Sequence, residues 1–105
     1  MRNFNFYNQK RRSVRKYLEK DVNDELLEKV LDSARYAPSA GNYQPWEFIV
    51  VRNESLKADI VEACYNQKWM LEALVFIIVC VNNRIAGYYG ERGLKLYGIQ
   101  AVAAA

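Results

Sequence analysis

An α+β fold, with a small sheet flanked by helices, is what this 105-residue chain predicts. Two observations carry the sheet: "WEFIVV" at 46–51 and "LVFIIVCV" at 74–81 are nearly continuous apolar runs of strand length. Runs of this kind read as strands covered on both faces. A third carries the helices: "DELLEKVLDSARY" at 24–36 sets Leu26, Leu27, Val30, Leu31 and Ala34 at helical spacing. The length suits one domain, 1–105, and is too short for two.

Taken in order, residues 3–10 form a short helix leading into "KRRSVRKY". That stretch is too charged to be buried unless a ligand neutralises it. Asn23 caps the helix at 24–36, and Asp24 and Glu25 suit the positive end of its dipole. Ala37 precedes Pro38 and is pushed out of helical geometry, so this helix ends there. The loop "APSAGNYQPW", 37–46, leads to the first strand. Asn53 caps a second helix with Leu56, Ile60, Val61 and Cys64 on one stripe. "NQKWMLEA", 66–73, adds a helical turn or two before the second strand, which is expected beside the first, with helix 24–36 on a face. "NNRIAGYYGERG" reads as a polar, Gly-rich loop, and "LKLYGIQAVAAA" as a small-residue helix. From Ile99 onward that helix is apolar almost all round, which calls for burial.

Composition narrows the function. The formal charge of +3, from 15 basic and 12 acidic residues, does not by itself call for nucleic acid. No histidine occurs anywhere. This removes Ser-His-Asp and Cys-His nucleophile systems, imidazole zinc sites and histidine acid–base chemistry. An enzyme of this composition works through a cofactor or through carboxylates. Cys64 and Cys80 fall on apolar stretches outside any C-x-x-C pair, so buried free thiols and an intracellular, cytoplasmic setting are expected. The N-terminus lacks the apolar core of a signal peptide, and nine apolar residues at 73–81 are too few to span a bilayer as a helix.

Two stretches carry chemistry. "RRSVR", Arg11–Arg15, sets three guanidiniums and a hydroxyl within five residues, with no acidic neighbour from 10 to 18. Arginine forks suit a phosphate through paired charge-assisted hydrogen bonds. A solvated basic turn, or weak nucleic-acid contact, is the alternative. In "PSAGNYQPW", Ser39, Asn42 and Gln44 offer donors and acceptors on a backbone stiffened by Pro38 and Pro45, while Gly41 permits positive φ. Such a loop can follow the polar edge of a flat heterocycle, or can simply tie a connector to the core through Trp46.

"RRSVRKY", "APSAGNYQPWEFIVV", "NQKWMLEA" and "YGIQAVAAA", in this order and spacing, resemble the nitroreductase family of FMN-dependent oxidoreductases. The resemblance implies a three-layer α+β fold, here truncated to a single domain lacking the family's C-terminal half. It implies that Arg11, Arg12, Ser13 and Arg15 match the stretch gripping the FMN phosphate and ribityl chain. Pro38, Ser39, Ala40 and Asn42 match the loop that reaches the flavin from the other subunit, and Asn66 matches a polar position near the ribityl or pyrimidine side. It further implies NAD(P)H as electron donor, a nitro, quinone or similar acceptor, and a homodimer, with neither nucleic acid nor membrane as partner. No catalytic side chain is named, because flavin N5 takes and passes the hydride. Trp46 and Tyr36 are assigned to packing. Leu74 stands where the family often has proline, and Ala101 where it often has aspartate. Two alternatives stand beside this reading: a truncated, non-catalytic relative that dimerises and binds flavin or phosphate, and a small basic nucleic-acid-binding module.

Overall fold

The computed structural model describes residues 4–105. Its regular elements are α1 (Phe4–Lys10), α2 (Asp24–Ala34), β1 (Trp46–Val51), α3 (Glu54–Ala63), β2 (Phe76–Val81), α4 (Asn83–Ala86), α5 (Gly90–Arg92) and α6 (Gly98–Ala104). Single 3-10 turns occupy Ala40–Asn42, Lys68–Glu72 and Gly87–Tyr89, and a π-helical turn occupies Gly93–Tyr97. Residue 3, expected to open the first helix, lies outside the described residues.

β1 and β2 pair antiparallel, from Trp46 opposite Val81 to Val51 opposite Phe76. Directly opposed residues share a face, so Val51, Phe76, Ile49 and Ile78 lie on one side. Val61 and Ile60 of α3, with Met70 and Ala73, close over that side to make the core with Val51, Phe76 and Ile78. The other face carries Val81, against which Gly98 of α6 fits so closely that a Cβ there would collide with the valine methyl. Helices therefore lie on both faces, at opposite ends of the two strands.

Coverage is incomplete, and three expectations change. Ile49 stays 50% exposed, and Val50 and Ile77 are also exposed, so the strands are not fully covered. Helix α2 touches either strand only marginally. It buries Leu27 alone and leaves Leu26 and Val30 outward. Its start is tied by Arg52, which donates to the Val22 carbonyl at 2.7 Å and to Asp24 at 3.0 Å. Cys64, at the end of α3, and Cys80, in β2, carry free thiols but are half-buried rather than buried.

The expected polar loop after β2 is helical. The Asn82 side chain accepts from the amides of Arg84 and Ile85 and so starts α4. The turns stack because Gly93 lies against the Ala86 carbonyl, where any Cβ would clash. Ala101, 1% exposed, packs the last helix inward, whereas Leu94, Leu96 and Ile99 face out. No helix among the described residues is long and apolar enough to cross a membrane.

Candidate functional site

Residues 11–23 run without regular structure, and from Arg11 to Asp21 every side chain is exposed. Arg11, Arg12, Arg15 and Lys16 make no ion pair with the described residues, although six other pairs form. One end of the segment is held. The Arg15 guanidinium lies over the Trp69 ring at 5.8 Å, and Tyr17 stacks on the same indole at 6.2 Å with the planes 21° apart. The Tyr17 amide donates to Glu72 at 3.4 Å, and its hydroxyl donates to the Val14 carbonyl at 2.9 Å.

Asn66 lies just before this platform. Tyr65 and Asn66 both take left-handed backbone angles, φ 62° and 55°. The Asn66 amide donates to the Val61 carbonyl at 3.0 Å, closing the end of α3. Its own side chain remains exposed and makes no hydrogen bond with the described residues. Position 66 thus joins the end of α3 to the turn that carries Trp69.

The loop 38–45 is a built object. Gly41 at φ 59°, Asn42 at 55° and Gln44 at 52° make a run of left-handed turns. Ser39 Oγ accepts from the Gln44 amide at 3.0 Å, and the Asn42 amide donates to the Ser39 carbonyl at 3.0 Å. The Ser39 hydroxyl is therefore engaged in shaping the loop. Tyr43 packs on Tyr88 and Tyr89, with ring centres at 5.6 and 4.9 Å, and Tyr89 meets Tyr97 edge-on at 5.4 Å. At the strand end the Asn82 amide donates to the Pro45 carbonyl at 2.6 Å, and its side chain donates to Glu47 at 3.0 Å. Pro38 and Asn42 remain exposed, and Ala40 is half-buried.

Six of the nine expected site residues therefore fall into two groups, while Arg11, Arg12 and Ser13 stay on the exposed irregular segment. Arg15 and Asn66 belong with the 66–72 turn; Pro38, Ser39, Ala40 and Asn42 belong with the tyrosine cluster. No hydrogen bond, ion pair or ring contact joins the groups among the described residues. A cavity of about 620 Å³ lies between Lys16–Glu19 and Leu71–Leu74, and an apolar groove of about 510 Å³ runs past Tyr17, Trp69, Ile60 and Phe76. Neither is lined by the nine predicted residues. Trp46 is buried as expected, but Tyr36 is 84% exposed and packs on nothing substantial.

Sequence reasoning missed Trp69, Tyr17 and Lys57. An aromatic flanked by polar residues, as in "NQKWM", is the available signal for a surface platform. For Lys57 the signal is helical spacing: it stands three, four and seven residues before Ile60, Val61 and Cys64 and so shares their face, where it is buried while Leu56 is exposed.

Comparison with known proteins agrees with this arrangement of elements. The sequence profile described as "Nitroreductase family" matches residues 9–89. A protein of Archaeoglobus fulgidus, provisionally named NADH dehydrogenase/NAD(P)H nitroreductase, is 41% identical over 78 residues, which is 74% of this chain and 45% of that protein. The FMN reductase [NAD(P)H] of Bacillus subtilis strain 168 is 32% identical over 71 residues, 68% of this chain and 28% of the reductase. The solved structure of B. megaterium NfrA2 superposes with a TM-score of 0.84 at 28% identity, covering 99% of this chain and 47% of the other. The chain thus spans less than half the length of each of these proteins. With its basic segment, its glycine loop, its Asn66 turn and both strands inside the matched residues 9–89, the chain belongs to the nitroreductase family.

Proposed function

We propose that the chain supplies part of an FMN site and that the protein is a flavin-dependent NAD(P)H oxidoreductase. The observation that carries this reading is the exposed basic segment with Arg11, Arg12 and Arg15, which makes no ion pair among the described residues and is held at one end on Trp69. Arg11, Ser13 and Arg15 bind the flavin phosphate, with Arg12 beside them on the ribityl chain; Asn66 donates or accepts at the polar side of the cofactor. The donor set fits: guanidinium forks and a hydroxyl satisfy phosphate oxygens. When bound, FMN supplies the hydride chemistry, accepting from NAD(P)H and delivering to a nitro, quinone or similar acceptor.

The chain's own residues bind and orient. The separation of the loop at 38–45 from the basic segment supports a site completed between two copies, in which Pro38, Ser39, Ala40 and Asn42 of one face the cofactor of the other. A homodimer working in the cytoplasm is part of the proposal, and nucleic acid is not a partner in it. The FMN reductase among the relatives supports the choice of cofactor.

The test is direct. The purified chain, mixed with FMN and desalted, is expected to keep a flavin absorption spectrum and to bleach on anaerobic addition of NADPH or NADH. Retained flavin without bleaching favours the non-catalytic, binding-only reading. A colourless protein after desalting, with FMN fluorescence unquenched in the mixture, contradicts the proposal.

A further inference from the structure

We infer that Lys57 is a positioning residue that sets the Trp69 platform, and through it the basic segment 11–17. The inference rests on the flavin-site reading above for its functional meaning. Lys57 is 0% exposed, and no other large side chain among the described residues is buried so completely. Its ammonium donates to the Ala73 carbonyl at 3.0 Å, pairs with Glu54 at 3.0 Å and lies 5.7 Å from the centre of the Phe76 ring. The Glu54 side chain is 79% exposed, so the counter-charge is largely in water while the ammonium is not.

Burying an ammonium is expensive, and an apolar residue of similar volume is often as stabilising or more so. Filling space therefore does not explain a lysine here. What an apolar side chain cannot do is hold the Ala73 carbonyl. That carbonyl sits at the hinge where the turn Lys68–Glu72 gives way to β2, and the Ala73 amide closes the same turn on the Met70 carbonyl at 3.1 Å. The turn carries both groups that the basic segment rests on. Trp69 receives Arg15 and Tyr17, and Glu72 accepts from the Tyr17 amide. Hydrogen bonds thus run from Lys57 to Ala73 and on to Met70, the chain of the turn carries Trp69 and Glu72, and these meet Arg15 and Tyr17. Lys57 pins the far end of that series to α3.

The test separates position from stability. The chain is labelled with fluorotryptophan, and fluorine NMR resolves Trp69 from Trp46, assigned with Trp69→Phe. In Lys57→Met the Trp69 resonance is expected to move or broaden while Trp46 stays, with the urea midpoint little changed and the FMN Kd raised roughly tenfold, about 1.4 kcal/mol. A folded Lys57→Met with an unmoved Trp69 resonance overturns the inference, as does an unchanged Kd. Should Lys57→Met not fold, Lys57→Leu, which likewise removes the donor to the Ala73 carbonyl, is read against the same criteria. Failure of both to fold makes Lys57 a determinant of the whole fold and also overturns it. If wild-type protein does not bind FMN, the flavin reading fails, and the Trp69 resonance alone still decides the positioning role.

Discussion

Gly41 carries two separate constraints. Its φ of 59° is unfavourable for residues with a side chain, and a Cβ on it would run into the Tyr89 hydroxyl. Gly41→Ala is expected to destabilise the protein by about 1–2 kcal/mol from the left-handed backbone alone, and by more from displacing Tyr89. Adding Tyr89→Phe removes the nearest colliding atom, so urea unfolding of the double variant is expected to regain part of the loss. Full recovery would show that the backbone angle costs nothing. In the core, Val61 is 3% exposed against Val51 and Phe76. Val61→Ala removes two buried methyl equivalents and is expected to cost about 1.5–2.5 kcal/mol in the same assay.

At the scale of elements, two helices start alike and are anchored differently. The side chains of Asn23 and Asn53 accept from the amides of Leu26 and Leu56 at 2.8 and 3.0 Å. Replacing either by alanine removes about 1 kcal/mol of helix stability. Helix α3 buries Lys57 and Val61 in the shared core, whereas α2 buries only Leu27. Asn53→Ala is therefore expected to lower the global urea midpoint. Asn23→Ala should instead speed amide exchange within α2 and leave the midpoint nearly unmoved. Equal falls in both midpoints would show that α2 unfolds with the core. These caps, the run 46–51 and most of the run 74–81 were legible because each depends on neighbours close in sequence. The helical path after Asn82 was not. Its glycines read as loop, yet Gly93 and Gly98 are there so that backbone can approach Ala86 and Val81, which only the folded molecule reveals. The spacing of Lys57 with Ile60, Val61 and Cys64 put it on the inner face of α3, but the carbonyl that holds its ammonium lies sixteen residues away. The basic segment and the glycine loop could be picked out as candidate site elements from residue type alone, but the Trp69 platform between Arg15 and Asn66 needed the fold.

The whole molecule is open. Its radius of gyration is 15.8 Å, against about 13 Å for a compact chain of 100 residues. Two strands leave unpaired edges, and Ile49, Val50, Ile77, Leu94, Leu96 and Ile99 are exposed. Soluble monomers rarely leave this much apolar surface uncovered. Light scattering at micromolar concentration is expected to return a mass above the 12.2 kDa of one chain. A monodisperse species of that mass with a cooperative unfolding transition would show the surface to be tolerated. In the proposed flavin site the cations at 11–15 receive the flavin phosphate. This is tested most directly by titrating FMN, and riboflavin as the phosphate-free control, against wild type, Arg11→Ala and Arg15→Ala by flavin fluorescence. Each substitution is expected to weaken FMN by about 1.5–3 kcal/mol, the range for hydrogen bonds to charged groups, and to leave the weaker riboflavin binding unchanged. Equal FMN affinity in the wild type and both variants would contradict it.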